Sequence, residues 1–168
     1  MTGIVERLNA VLSTPQLWHF LRKVPEFDYR HTKARIRRVL GETKGSVLDL
    51  GCGTGEYAPL FAPDRYVGVD LWPPFVRYAS TRLRIFDFLV GDAERLPFVD
   101  HQFDHVLVNG VIHHMDDLSA DRLLAEVRRV VRPSGSVLII EDIPSSAANL
   151  PGRLMHAMDQ GDHIRKSE

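Results

Sequence analysis

The sequence predicts an α/β fold in which helices cover both faces of a doubly wound, mostly parallel sheet. From Ser46 onwards, short runs rich in valine, isoleucine and leucine alternate with helical segments. That order gives β-α-β units with right-handed crossovers. The apolar runs lack sustained polar alternation, as strands covered on both faces should. At 168 residues, one domain of this kind would bury roughly 70% of its unfolded surface.

Residues 1–44 are predicted to form an N-terminal helical cap. The first helical pattern comprises Val5, Leu8, Val11 and Leu12. A second helix is expected from about Thr32 to Leu40, with Gly41 as its stop signal. We expect this cap to form a lid and acceptor pocket, because it is rich in large apolar side chains. These are Leu17, Trp18, Phe20, Phe27 and Tyr29.

The second helix carries five basic side chains. They could bind a phosphate group, or they could form the solvated face of the helix. We favour the solvated face, because four neighbouring residues supply an apolar side for packing. The basic residues are Arg30, Lys33, Arg35, Arg37 and Arg38. The apolar residues are Ala34, Ile36, Val39 and Leu40.

Residues 45–142 are predicted to form the α/β core. The strand candidates are Val47–Leu50, Tyr66–Asp70, Phe86–Val90, His105–Asn109 and Val137–Glu141. One helix is expected from Pro73 or Pro74 to about Arg84, since proline is tolerated in a first turn. Another is expected from about Leu118 to Val131, ended by a proline and a glycine at positions 133 and 135.

Composition excludes several classes of protein. The formal net charge is −1, so no overall field attracts nucleic acid or an anionic membrane surface. No apolar run approaches the ~20 residues that span a bilayer, and the first residues do not resemble a signal peptide. A single cysteine, Cys52, rules out an intrachain disulfide. We therefore expect a cytoplasmic protein.

The stretch Val47–Glu56 is the most informative part of the chain. A short apolar strand is followed by glycines at positions 51, 53 and 55, and Tyr57–Phe61 is expected to begin a helix. Such a turn lets backbone approach a ligand closely. The dinucleotide fingerprint G-x-G-x-x-G would need glycine at position 56, where Glu56 would repel a diphosphate. The spacing G-x-G-x-G after an acidic residue instead suits a ligand with an amino acid moiety and no phosphate.

Each predicted strand ends at acidic or amide residues. In a doubly wound fold, ligands bind beyond the carboxyl ends of the strands. A carboxylate at the edge of an apolar sheet costs free energy unless a ligand or a backbone donor satisfies it. The set therefore forms a candidate site. Its members are Asp49, Asp70, Asp92, Asn109 and Glu141-Asp142.

Five segments resemble motifs of the class I S-adenosylmethionine-dependent methyltransferases, in their small-molecule branch. Val47–Glu56 resembles motif I, and Val90–Phe98 resembles the third motif. Phe103–Asn109 resembles the fourth strand, and Val111–Met115 the run of a hydrophobic pair followed by histidine. Arg132–Glu141 resembles the "RPGG-strand" signature, with serine for the first glycine. The resemblance covers about residues 44 to 142. It implies a Rossmann-like methyltransferase fold, S-adenosylmethionine as cofactor and a small-molecule methyl acceptor.

The resemblance also implies which residues contact the cofactor. Asp70 would accept two hydrogen bonds from the ribose diol, although it could instead cap the following helix. Asp92 would accept from the adenine amino group while the N–H of Ala93 donates to the ring, although Asp92 could instead cap a short turn. Leu71 would pack on an adenine face, and Asn109 would lie beside the methionine part. The full set is Asp49, Gly51, Gly53, Asp70, Leu71, Asp92, Ala93 and Asn109.

Two adjacent histidines are the candidate catalytic residues. His113 or His114 could act as a general base if the acceptor is a hydroxyl or an amine; either could equally be a capping or packing residue. We expect their side chains to diverge rather than to chelate one ion, and one cysteine cannot build a zinc cluster. Cys52 lies between glycines, where a small side chain is wanted, so no catalytic thiol is expected.

Two other functions stay open at this point. One is a non-catalytic S-adenosylmethionine-binding module that regulates or scaffolds a partner, because its binding motifs would look the same. The other is an NAD(P)-dependent oxidoreductase, against which Glu56 argues. We expect neither nucleic acid nor a membrane as partner.

The last prediction concerns the C-terminal segment, residues 143–168. The sheet that this chain resembles has seven strands, and only five are found in the sequence. We therefore expect a shortened chain that lacks the last two strands and ends in a helical segment. The strand candidate Val137–Glu141 would then lie at a sheet edge, and its four apolar residues would favour pairing with another chain as a homodimer.

Overall fold

A parallel five-stranded sheet organises the part of the chain that the computed structural model describes, namely residues 14–15, 29–40 and 44–141. The strands are β1 (Val47–Leu50), β2 (Tyr66–Asp70), β3 (Asp87–Val90), β4 (Phe103–Asn109) and β5 (Val131–Ile140). Their order is β3-β2-β1-β4-β5, and every pair of neighbours is parallel. The doubly wound α/β prediction is confirmed. The order reverses at β1, so its carboxyl end lies at the switch point where such sheets bind ligands.

Three α-helices accompany the described strands: α1 (Arg30–Leu40), α2 (Pro73–Arg82) and α3 (Asp117–Val130). The predicted bounds agree with the observed helices within two residues. Strand β3 begins one residue later than predicted, and β4 begins two residues earlier. None of the described helices is long and apolar enough to cross a membrane.

The core lies on both faces of the central strands. All four residues of β1 are buried, as expected of a strand flanked by β2 and β4. Successive residues of β4 point to opposite faces: Leu107 packs with Ile36 and Leu40 of α1, whereas Val106 and Val108 pack with the apolar stripe of α3. Helix α1 thus covers the face opposite to α3, next to the end of β1.

The helix expected to begin at Tyr57 does not form. Only a short 3-10 turn, Ala58–Leu60, follows the glycines, and Phe61 is extended. Proline explains the difference: Pro63 lacks the N–H that would donate to the carbonyl of Pro59, and its ring would clash with that carbonyl in an α-helix.

Strand β5 begins six residues before the predicted start at Val137, directly after α3. Val131 pairs with Phe103, but Ser136 already pairs with His105, so the residues between them form an irregularity in the strand. A Cβ at Gly135 would overlap the carbonyl oxygen of Asp104. The proline and glycine taken as the end of the helix therefore lie inside β5, where close backbone approach requires glycine.

Several predictions fall wholly or largely outside the described residues. Of the helical cap, the structure describes residues 14–15, 29–40 and 44, so the first helical pattern and most of the predicted lid are not covered. The C-terminal segment 143–168 is not covered either. Within the described sheet, β3 and β5 are the two edge strands.

Candidate functional site

The turn after β1 is built from three glycines with positive φ, 72° at Gly51, 52° at Gly53 and 77° at Gly55. A Cβ at Gly51 would overlap the side chain of Val111, and one at Gly55 would lie 2.9 Å from the ring of Phe88. A Cβ at Gly53 would meet nothing within 4 Å. Two glycines are therefore required by packing, and the middle one faces open space where a ligand could approach the backbone.

Asp70, at the end of β2, fastens this turn. Its Oδ2 accepts from the N–H of Gly53 at 2.8 Å, and its Oδ1 accepts from the N–H of Trp72 at 2.8 Å. Burial raises the pKa of this carboxyl above its ordinary value. The second contact fixes the turn before α2, but Asp70 does not cap that helix, whose N-cap residue is Trp72 and which has no side-chain cap hydrogen bond. Each oxygen keeps a lone pair, so these bonds leave room for hydroxyl donors from a ligand.

Asp49 lies in β1 and is fully buried. Its Oδ2 accepts from the hydroxyl of Tyr66 at 2.6 Å, whereas its Oδ1 is buried without a hydrogen bond to the described residues. Burial, with a smaller contribution from Asp70, raises the pKa of Asp49 to about 7. A buried carboxyl oxygen without a hydrogen bond costs free energy, so a positive charge that a ligand brings close to this turn would stabilise it.

Two residues that the sequence analysis did not assign hold the far side of the turn. Arg82 of α2 donates to Glu56 Oε1 at 2.9 Å and to the carbonyl of Thr54 at 2.7 Å. Lys33 of α1 lies 3.8 Å from the other oxygen of Glu56. The glutamate taken from the sequence as a repulsive charge is thus held between two cations. No local pattern links Arg82 to this turn, because 26 residues separate it from Glu56.

The predicted adenine side lies next to the end of β2. The N–H of Gly91 donates to the carbonyl of Asp70 at 3.0 Å, which places Asp92 beside this strand end. Asp92 Oδ1 accepts from the N–H of Glu94 at 2.9 Å, the turn-capping alternative weighed above. Leu71 is 72% exposed, and Ala93 packs against the core. These positions leave the adenine contacts as predictions.

A second group of polar residues lies after β4. The Nδ2 of Asn109 donates to the hydroxyl of Tyr57 at 3.2 Å, which connects this loop to the glycine turn. Glu141, directly after β5, accepts from the N–H groups of Val111 and Ile112 at 3.1 and 2.9 Å. Its Oε2 lies 2.7 Å from Nδ1 of His113. Burial alone would raise the pKa of Glu141, but these hydrogen bonds outweigh burial and hold it below the usual value.

The expectation that the two histidine side chains diverge is wrong. The ring centroids of His113 and His114 are 3.9 Å apart, with 46° between the planes. Glu141 holds the ring of His113 inside a short 3-10 turn, Ile112–His114, so the neighbouring ring lies against it. No group of three or more metal-binding side chains occurs within the described ranges. Cys52 is buried, and burial raises the pKa of its thiol.

The predicted site residues therefore fall into three places. Asp49, Gly51, Gly53 and Asp70 share the glycine turn, with Leu71 next in sequence. Asp92 and Ala93 lie beside β2. Asn109 ends β4 and is joined to the turn through Tyr57, and the histidines follow in the loop after β4. The contribution of Glu141 was not recognised beyond its position at a strand end.

Comparison with known proteins shows what this arrangement resembles. A family model described as a methyltransferase domain matches residues 48–139. Demethylmenaquinone methyltransferase of Thermotoga maritima is 33% identical over 131 residues, which cover 76% of this chain and 56% of that protein. The human protein named "Probable tRNA methyltransferase 9B" is 38% identical over 120 residues, 68% of this chain and 26% of that protein.

A solved structure agrees with these relatives. The crystal structure of the PH0226 protein from Pyrococcus horikoshii has a TM-score of 0.59 and 33% identity, covering 66% of this chain and 57% of that one. The chain thus spans only about half, or less, of the length of the curated relatives given above.

Proposed function

The chain belongs to the class I S-adenosylmethionine-dependent methyltransferases, and on that basis we propose that it transfers the methyl group of S-adenosylmethionine to a small-molecule acceptor. The observation that carries the proposal is the turn after β1. Gly53 faces open space, Asp70 fastens its backbone, and the buried Oδ1 of Asp49 lacks a hydrogen bond to the described residues. These features fit a ligand with hydroxyl donors and positive charge.

We propose the following contacts with the cofactor. Asp70 accepts from the ribose hydroxyls, and the backbone at Gly51 and Gly53 lies against the amino acid part, with Asp49 beneath it. Asn109 contacts the methionine part from the end of β4. The proposed adenine contacts are Leu71, Asp92 and the N–H of Ala93.

The reaction depends mainly on the alignment of the methyl donor with the acceptor. When bound, the cofactor supplies a methyl group already activated by its sulfonium. The task of the chain is to hold donor and acceptor in line and to exclude water. Such placement can contribute ~7–11 kcal/mol of the barrier. A general base adds roughly 10²–10⁴-fold if the acceptor must lose a proton.

We propose His113, rather than His114, as that base. Its Nδ1 lies 2.7 Å from Glu141 Oε2, so Nδ1 carries the proton in the neutral ring and Nε2 is the nitrogen that would take up a proton. A carboxylate that fixes one imidazole nitrogen sets the tautomer and favours the protonated ring that forms when a proton is taken up. Glu141 would therefore position the base without touching the acceptor.

Calorimetry and a transfer assay test this function. We expect micromolar binding of S-adenosylhomocysteine, the demethylated cofactor, by the 168-residue chain. A screen with radiolabelled methyl donor against quinones, phenols, amines and thiols should then identify the acceptor class. Binding without transfer to any of these would favour the non-catalytic module. Binding of NAD in place of S-adenosylhomocysteine would refute the proposal.

We also propose the domain organisation expected from the sequence, a helical cap over residues 1–44, a cofactor-binding core over 45–142 and a C-terminal helical segment over 143–168. A homodimer through β5 belongs to the same proposal. Val137 and Ile139 on this edge strand are 40% and 42% exposed, and exposed apolar strand edges favour pairing. Sedimentation of a monomer at all concentrations would refute the dimer and leave the proposed activity untouched.

A further inference from the structure

One face of α1 forms the wall of a cavity. Arg30, Lys33 and Arg37 lie three and four positions apart, so they share one side of the helix. Together with His31 they line a cavity of about 840 Å³ whose lining also includes Glu56. This volume lies within the usual range of small-molecule sites. The sequence analysis favoured a solvated face for all five basic residues of this helix. Three of them line the cavity instead, whereas Arg35 and Arg38 do not.

The cavity has an excess of positive charge. Three cations and one carboxylate line it, and Glu56 is already paired with Arg82 at 2.9 Å and with Lys33 at 3.8 Å. Arg30 and Arg37 form no ion pair with any side chain in residues 29–40 or 44–141. A small side chain, Ala34, lies between them and leaves space over the helix surface. Two guanidinium groups that have no carboxylate partner among the described residues are well suited to a planar or tetrahedral oxyanion.

A chain of contacts connects this cavity to the proposed methyl-transfer site. The Nζ of Lys33 lies 5.8 Å from the ring centroid of Tyr29. That ring meets Tyr57 edge to face at 6.0 Å, and the Tyr57 hydroxyl accepts from Asn109. Glu56 itself directly follows the last glycine of the turn. The cavity is therefore connected, through Tyr29 and Tyr57, to Asn109, which we propose contacts the methionine part of the cofactor.

We infer that this cavity binds the phosphate group of a small methyl acceptor. The inference rests on the proposed function, whose acceptor class it narrows. A phosphate monoester carries close to two negative charges at neutral pH, which matches the net charge of the lining residues. A small molecule is favoured over a nucleic acid, because the cavity has the volume of a small-molecule site and the chain as a whole has a net charge of −1.

The test uses phenyl phosphate as probe and two pairs of substitutions on the same helix. Binding of phenyl phosphate to the 168-residue chain is measured by calorimetry at fixed ionic strength, with phenol as the uncharged control. Arg30→Gln combined with Arg37→Gln should weaken binding at least tenfold. The matched control, Arg35→Gln combined with Arg38→Gln, removes the same charge from the same helix and should change the affinity less than twofold. Affinity for S-adenosylhomocysteine should be equal in all three proteins.

A second measurement does not depend on variants. In the unmodified protein, phenyl phosphate should shift the side-chain Nε–Hε resonances of Arg30 and Arg37 and leave those of Arg35 and Arg38 unchanged. Equal losses in both pairs of variants, or equal shifts at all four arginines, would overturn the inference. So would tighter binding of a single-stranded RNA oligonucleotide with a steep salt dependence. If S-adenosylhomocysteine binds and phenyl phosphate does not, the inference fails while the proposed function stands.

Discussion

The turn after β1 and the loop after β4 lie side by side, yet they are built in different ways. The turn consists of one continuous stretch of sequence, in which positive-φ glycines close over buried carboxyls. The loop obtains its order from Glu141, which follows another strand and accepts from two of its N–H groups and from His113. The backbone of the glycine turn on the proposed cofactor side is therefore encoded locally, although Asp70 and Arg82 fasten it from other elements. The proposed acceptor side depends on the alignment of β4 with β5.

The difference suggests how each region responds to change. In the turn, backbone geometry and burial determine the structure, so substitutions there should affect folding and cofactor binding together. In the loop, one carboxylate holds the histidine, so substitutions should affect the rate more than the stability. The following predictions test this contrast, from the largest expected effect to the smallest.

Gly51→Ala should have the largest effect. Alanine would be strained at a φ of 72°, and its Cβ would overlap Val111, so we expect a loss of about 2–4 kcal/mol in the free energy of unfolding. The matched control is Gly53→Ala, which has a similar φ of 52° but nothing within 4 Å of the added Cβ. It should cost only about 1 kcal/mol, while its methyl group obstructs cofactor binding. Urea unfolding and calorimetry separate the two results; equal destabilisation by both would contradict the packing role of Gly51.

His113→Gln should lower kcat on the order of a hundredfold if a proton must be removed. In the unmodified enzyme, kcat should rise with pH as the ring of the base loses its proton, and then level off. Glu141→Gln should reduce kcat and shift the rise of kcat to lower pH, because no carboxylate then favours the protonated ring of His113. Neither change should alter affinity for S-adenosylhomocysteine.

His114→Gln is the control for this second prediction, because its ring is adjacent but is not the one bonded to Glu141. The rise of kcat with pH should survive in it. If the rise of kcat with pH is lost in His114→Gln and kept in His113→Gln, His114 is the base instead of His113. If kcat of the unmodified enzyme does not depend on pH, the enzyme acts by alignment of donor and acceptor alone.

Asp70→Ala should weaken binding of S-adenosylhomocysteine at least tenfold. The change removes the proposed ribose acceptor and the bond that holds the N–H of Gly53, and each lost hydrogen bond of this kind costs ~1–3 kcal/mol. Calorimetry measures the loss, with circular dichroism to verify that the variant is folded. Unchanged affinity in a folded variant would reject the ribose assignment.

Asp104→Asn should have the smallest effect, because it lies at the opposite end of β4 from both regions. Hydrogen bonds from Arg132 and from the backbone of Ser46 lower the pKa of Asp104 to about 2. Its stabilising contribution is therefore present above about pH 4 and is lost as the pH falls towards 2. The free energy of unfolding of the variant should be about 1 kcal/mol lower at pH 7. Below about pH 4 it should depend less on pH than that of the unmodified protein. Any change in cofactor affinity would contradict the separation of the two ends of the sheet.

The contrast also explains what could be predicted from the sequence. The bounds of β1 and β2 and the glycine turn followed from local patterns, because each rests on neighbouring residues. The pairing of His113 with Glu141 could not be found this way, since 28 residues separate them and the contact requires the register of β4 with β5. The same holds for Arg82 on the glycine turn. The basic face of α1 was identified as a pattern, but only its packing against Glu56 shows which of its cations line a cavity.

Cys52 lies within the glycine turn, and it is the only thiol of the 168 residues. Its side chain is 5% exposed, and burial keeps the sulfur protonated and therefore slow to react. A disulfide reagent can attack this sulfur only when the turn opens, so the modification rate would report the opening equilibrium of the turn without any introduced label. A ligand that closes the turn should slow the reaction in proportion to its occupancy.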